Sequence, residues 1–201
     1  MAYRNFQFID LKNKFGIEQT RAKLFDKTVN IEPSERLKDA LDILKDLSLT
    51  TEKALSEAIV FPILTEIKLR NKDKIQLFSG ESVNSDRQNG LSGECDFIFA
   101  KAPGSFELMA PIINITEAKN GEADNPRSLS QTAAQLVGAR LFNQQRDTSV
   151  EVLYGACTSG YDWVFLKLEG SKVIIDTERY VLNNISQLLG VLQKIVDIQT
   201  A

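Results

Sequence analysis

The chain contains no histidine. That single absence removes whole classes of chemistry. Without imidazole there is no Ser-His-Asp triad and no Cys-His pair. No imidazole zinc centre can form. Nucleases that rely on a histidine base are excluded as well. A hydrolase made from this sequence has carboxylates, lysines and a hard cation held by oxygens to work with. Cysteine is nearly as scarce. Cys95 and Cys157 are the only two, they lack CxxC spacing, and each lies in an apolar, strand-like stretch. Buried structural thiols are the expectation, ahead of a disulfide or a metal site. Long apolar runs are missing too. The longest, Ala58 to Leu64, is far too short to span a bilayer. The first residues, Met1 to Asn5, lack the apolar stretch of a secretory signal. The expectation is a cytoplasmic protein with no membrane partner.

A strongly basic balance is also absent. Lys plus Arg is 24 and Asp plus Glu is 27, giving a net charge of −3. That excludes a basic nucleic-acid coat. A local basic groove stays open, because the field in a cleft depends on how charge is distributed. What is present is ordinary. With 201 residues, 43% of them hydrophobic, the chain can bury one core as a single domain.

Residues 1–33 read as an extended arm packed on the main domain, closed by Pro33. Ser34 is placed to cap a helix running to about Leu47, with Leu37, Ala40, Leu41, Leu44 and Leu47 on one stripe. A second helix spans about Thr51 to Arg70, with Leu55, Ala58, Ile59, Ile63 and Ile67 as its stripe. Pro62 inside it predicts a kink. Strand-like runs follow at Ile75–Phe78, Glu94–Ala100 and Ile112–Lys119, the last closed by an Asn-Gly turn signal. A helix from about Pro126 to Asn143 comes next. Strands at Glu151–Cys157, Trp163–Leu168 and Val173–Asp176 precede a last helix at Asn184–Ile198. This order predicts an α/β protein with its sheet between helices, residues 34–201 forming the single domain.

Two strands carry charge where an apolar run should be covered. Alternation puts Cys95, Phe97 and Phe99 on one face, and Glu94, Asp96 and Ile98 on the other. In the third strand Ile113, Ile115, Glu117 and Lys119 share a face. A carboxylate and an ammonium ending a buried face are costly to desolvate without partners. They signal either an internal ion pair or a site. Glu57 and Glu66 stand on the preceding helix, and Gln131 and Gln135 on the following one.

This order resembles the PD-(D/E)XK nuclease superfamily: a helix with Glu, an Asp in the second strand, Glu-x-Lys ending the third, then a helix with Gln. The likeness covers about residues 51–158. The phrase Ser56-Glu57-x-x-Ile59-Val60-x-Pro62-Ile63-Leu64 is similar to the nuclease domain of type I restriction motor subunits. Leu91–Phe97, Thr116–Asn120 and Gln131-x-x-x-Gln135-Leu136 are similar to small nuclease-like proteins of cyanobacteria and other bacteria. Two departures stand out: no proline precedes Asp96, and Gln135 stands where related helicase-associated nucleases often show Tyr.

The resemblance implies a restriction endonuclease-like α-β-β-β-α-β core. Its central mixed sheet would be flanked by helices, with extra C-terminal strands and a helix. It also implies a Mg²⁺-dependent deoxyribonuclease, Mn²⁺ substituting, with nucleic acid, chiefly DNA, as partner. Asp96, Glu117 and the carbonyl of Ala118 would hold the metal. Lys119 would orient the attacking water and stabilise developing charge, and Gln131 would steady Lys119 or a phosphate. The helix carboxylate stays open between two residues. Glu57 fits the restriction-subunit phrase, while Glu66 shares the stripe of Ile59 and Ile63. Nine residues on a straight helix put them about 180° apart. A homodimer is a further expectation, since cutting two strands requires two sites.

Overall fold

The computed structural model describes residues 2–201. Eight strands form one mixed sheet: β1 (Glu18–Ala22), β2 (Gln76–Ser82), β3 (Glu94–Ala100), β4 (Ile112–Ala118), β5 (Val152–Thr158), β6 (Asp162–Glu169), β7 (Lys172–Asp176) and β8 (Tyr180–Val181). Their order across the sheet is β1-β7-β6-β5-β4-β3-β2, with β8 paired to β6. The helices are α1 (Phe8–Phe15), α2 (Glu35–Asp42), α3 (Glu52–Leu55), α4 (Phe61–Arg70), α5 (Pro126–Gln144) and α6 (Ile185–Thr200). The centre of the molecule is an α-β-β-β-α-β unit. Strands β2, β3 and β4 form an antiparallel meander. Helix α5 then crosses over so that β5 lies parallel to β4.

Two apolar layers cover the sheet. One packs α1, α5 and the N-terminal residues on Ile98, Ile115, Cys157 and Leu166. The other packs α4 and α6 on Phe97, Phe99, Trp163 and Phe165. Both cysteines are free and buried. No helix among the described residues is long and apolar enough to cross a membrane.

Local signals explain the helix starts. Ser34 Oγ accepts the Leu37 N–H, and Thr51 Oγ1 accepts the Ala54 N–H. Pro62 leaves its mark differently from a simple kink. A proline ring collides with the carbonyl four residues back in a regular helix. Here the turn before it, Ser56–Val60, is a π-helix that joins α3 to α4, and the Phe61 N–H reaches the Ser56 carbonyl. The wider turn takes up the misfit, and such turns recur at functional sites.

Three expectations need correction. Residues 1–33 are no extended arm. They contribute α1 and the edge strand β1, which pairs in parallel with β7, and they bury Tyr3, Phe6 and Leu11. A single-residue bulge sets Ala100 opposite Ile112 while Phe99 faces Asn114. The extra residue turns Ile113 to the α4 and α6 side, away from Ile115. Cys95, likewise, packs with Ile98 and not with Phe97. At Cys95 the strand is paired to β2 while its pairing with β4 starts only at Phe97, and a one-sided strand is free to twist.

The N-terminal third is locked down where glycines permit close approach. Tyr3 stacks its phenol over Gly138 of α5 and donates its hydroxyl to the Val83 carbonyl at 2.8 Å. Further on, the backbone at Val29 crosses α6 at Gly190, where an added Cβ would lie 2.0 Å from the Val29 carbonyl oxygen. Backbone cannot swing aside as a side-chain tip can. Gly190→Ala is therefore expected to cost about 1–3 kcal/mol of unfolding free energy in urea denaturation.

Candidate active site

The ladder between β3 and β4 runs from Ala100 to Phe97 and goes no further. Beyond Phe97 the two strands part. In the fork, the Asp96 carboxylate takes the place of a backbone acceptor: Oδ2 receives the Ala118 N–H at 2.8 Å. Asp96 is half-buried, and its Oδ1 has no hydrogen-bond donor among the described residues.

One residue earlier on β4, Glu117 points toward α5 and is only 2% exposed. Its two oxygens are shared among three donors. Lys119 Nζ donates to Oε1 at 2.7 Å, and the Gln131 amide donates to the same oxygen. Gln135 Nε2 donates to Oε2 at 2.7 Å. The two glutamines are four apart on α5, so they stand one above the other on the same face. Gln135 is fully buried, and its Oε1 has no partner among the described residues. Lys119 continues the strand, its N–H donating to the Thr158 carbonyl at 2.8 Å.

The charges act on one another. Burial pushes the Asp96 carboxyl up, the negative Glu117 pushes it further, and it reaches about 7 despite the Ala118 N–H and Lys119. Burial also raises Glu117, against the pull of Lys119 and Gln135. For Lys119, burial opposes the charged form, but Glu117, Glu52 and Asp96 together hold the ammonium above its ordinary range. Lys119 is therefore a fixed cation at neutral pH.

Successive residues of β4 face opposite ways, and each opens on its own cavity. Ala118 and Asp96 line one of about 560 Å³, walled by Glu52, Lys53, Glu57, Phe61 and Glu94. Lys119 and Gln131 line another of about 360 Å³ at the start of α5. The π-turn places Glu57 on the first cavity. Glu66 is not there. Its buried carboxylate is held by Ser34 Oγ at 2.7 Å, Arg36 at 2.9 Å and Arg70 at 2.9 Å, and does not line that cavity. Burial would raise it, but those donors bring it below the ordinary range. Glu66 ties the cap of α2 to α4, which corrects its candidacy for the site. Arg70 is spent in the same cluster.

One residue escaped the sequence reading. Glu52, at the start of α3, lies 3.9 Å from Lys119 Nζ, and its Oε2 accepts the Asn120 N–H. Its position directly after the capping Thr51 gives no hint of this, because an acidic first turn is common in any helix. Trp163, in contrast, is core, its indole N–H donating to the Gly160 carbonyl.

Among the described residues no group of three or more acidic or thiol side chains is arranged to hold a metal ion. What the site offers is sparser: the free Oδ1 of Asp96, and Oε2 of Glu117 with a single donor on it. Two carboxylates with room for waters is the donor set that Mg²⁺ takes, since it keeps much of its hydration shell. Two like charges raised by burial also gain from a cation. A hard divalent ion with few protein ligands would find its donors in these two oxygens.

Scans against models of known protein families, against curated proteins and against solved structures found no match to this chain.

A pH dependence follows. Asp96 and Glu117 bind protons more tightly folded than unfolded, so stability falls as pH rises between the ordinary carboxylate range and about 7. In a metal-free buffer the melting temperature is expected to drop from pH 4.5 to pH 7.5. Asp96→Asn keeps an acceptor for the Ala118 N–H and removes the charge. It should flatten that slope and gain about 1–3 kcal/mol at pH 7.5, read by calorimetric melting.

Proposed function

We propose that the chain is a metal-dependent nuclease that hydrolyses phosphodiester bonds in nucleic acid, with DNA as the expected substrate. The observation that carries the reading is the Asp96, Glu117 and Lys119 cluster at the β3–β4 fork. A half-buried carboxyl, a buried carboxylate and a fixed ammonium meet where two cavities abut one strand end. The α-β-β-β-α-β order supports it. The PD-(D/E)XK resemblance is consistent with both.

The roles follow from the charges. A phosphodiester resists attack because its oxygens are negative and the leaving alkoxide is poor. Lys119 is cationic and partly exposed, so it can donate to a phosphate oxygen and favour the charge that grows there in the transition state. Glu117 fixes Lys119 in place, and Gln131 and Gln135 fix Glu117, so the ammonium needs little reorganisation. Asp96, Glu117 and the Ala118 carbonyl are the groups that would hold Mg²⁺ or Mn²⁺. The chemistry such an ion supplies is Lewis acidity: neutralised phosphate charge and a more acidic water. Glu57 and Glu52, on the wall of the larger cavity, can accept hydrogen bonds from waters there.

The test is a cleavage screen of the full chain with Mg²⁺ or Mn²⁺ against single-stranded, duplex and branched DNA and RNA. Lys119→Ala, Asp96→Ala and Glu117→Ala should each lose on the order of 100-fold or more of the rate. Glu66→Gln should lower the melting temperature and leave the rate per folded molecule nearly intact. Titration calorimetry should show divalent-ion binding that Asp96→Ala abolishes. A wild type that cuts none of these substrates sinks the nuclease reading. Retention of DNA without cleavage would leave a binding protein in its place.

A further inference from the structure

We propose that the cavity at the start of α5 is a binding pocket for a phosphate group of the nucleic-acid strand other than the one cleaved, held by Arg4 and Arg127. The identity of the strand rests on the nuclease reading; the pocket's chemistry does not.

The cavity, about 360 Å³, is lined by Arg4, Lys119, Asn125, Arg127, Ser128 and Gln131. Three of those six carry positive charge and none is acidic. The cavity on the other side of β4 is the reverse, with Glu52, Glu57, Glu94 and Asp96 against one Lys53. In a chain of net charge −3, this local concentration sets the field inside the cleft whatever the total.

The cations come from three separate places, and the backbone that carries each is tied to the body of the protein. Lys119 is fixed by Glu117. Arg127 sits in the first turn of α5, where the Asn125 side chain accepts its backbone N–H at 2.9 Å. Arg4 is the centre of a 3₁₀ turn, Tyr3–Asn5, with a buried aromatic on each side of it, Tyr3 and Phe6, both 1% exposed. That turn is bonded to the body of the protein: the Tyr3 N–H donates to the Ser92 carbonyl, and Ser130 Oγ donates to the Phe6 carbonyl. Neither Arg4 nor Arg127 enters an ion pair among the described residues, so both guanidinium groups are available. A guanidinium presents paired donors that match two phosphate oxygens. The Ser128 hydroxyl adds a neutral donor.

The surroundings favour a phosphate carried on a nucleoside. A second cavity, about 510 Å³, shares Arg127 and continues along Phe6, Phe8 and Ile9 with the amides of Asn5 and Gln7. An apolar wall with amide edges beside a cationic pocket suits a base and sugar next to their phosphate. Lys119 belongs both to the cationic pocket and to the reactive cluster, so a strand lying here reaches the site from the α5 side.

The measurement is fluorescence anisotropy in EDTA, where no cleavage can occur. The probes are 3′-labelled single-stranded DNA 12-mers with a 5′-phosphate or a 5′-hydroxyl, and unlabelled inorganic phosphate as competitor. Arg4→Gln/Arg127→Gln is expected to weaken binding at least 10-fold and to flatten the dependence of log affinity on log salt by about 1. Arg4→Lys/Arg127→Lys should recover part of the affinity. Both side chains are exposed, so an unchanged melting temperature marks the variant as folded. Tighter wild-type binding to the 5′-phosphate probe assigns the pocket to a strand end; equal binding assigns it to an internal phosphodiester, and both support it. Wild-type affinity in the Gln double variant overturns the proposal, even if the protein cleaves DNA. Displacement of the 12-mer by inorganic phosphate at an equal phosphate concentration overturns it too. Loss of binding in a protein that never cleaves leaves the pocket standing and removes the nuclease.

Discussion

A carboxylate buried to 2% exposure is the constraint around which this molecule is arranged. Glu117 stands next to last in a strand whose seven residues are all buried. Leaving that charge unpaired would cost several kcal/mol. Three donors meet it, one from its own strand and two from the crossover helix, and in meeting it they fix the relation of α5 to β4. The crossover helix thus joins the sheet by polar contacts as well as apolar ones, and Asn143 does the same at the start of β4, bonding both the N–H and the carbonyl of Ile112 at 2.8 Å. Such contacts tolerate no slippage, since a shift of one residue would strand the amides.

The fork between β3 and β4 follows the same logic. Backbone pairing stops at Phe97, and a side-chain oxygen of Asp96 replaces the next acceptor. The substitution keeps the Ala118 N–H satisfied while opening the sheet enough for two cavities to reach one strand end. Stability is given up locally: burial raises the carboxyls of both Asp96 and Glu117, so ionising either one works against the fold. Sites arranged for function commonly carry such a deficit, offset by the packing around them. Here the offset comes from two thick apolar layers.

Much of this was legible in the residues. The Ser34 cap, the three-strand meander, the long α5 and the Asp96, Glu117 and Lys119 trio all follow from side-chain chemistry and periodicity. Gln131 and Gln135 were legible through the resemblance, which implies a glutamine-bearing helix after the Glu-x-Lys strand; their partner is Glu117. What could not be read depends on contacts distant in sequence. Glu66 satisfies a helical stripe, yet only the return of residues 34–36 reveals its ion cluster. The bulge at Ile113 inverts one residue with no glycine or proline inside the strand to announce it. Tyr3, Phe6 and Leu11 look like an arm because their spacing is short, while the close seat of Tyr3 depends on Gly138 of α5. Glu52 is an ordinary first-turn acid until Lys119 arrives beside it.

The two borders of the sheet have a consequence of their own. Every residue of β1 is exposed, with Glu18 and Arg21 among them, and the outer half of β2 runs Ser79, Gly80, Glu81, Ser82. Bare strand edges invite lateral growth, and polar, charged or kinked borders discourage it. Gly80 takes a left-handed φ of 70° inside β2, which bends the border further from a flat template. A second copy of the chain therefore finds no apolar strand to extend. Both borders of the sheet are thus of the kind that discourages edge-to-edge pairing.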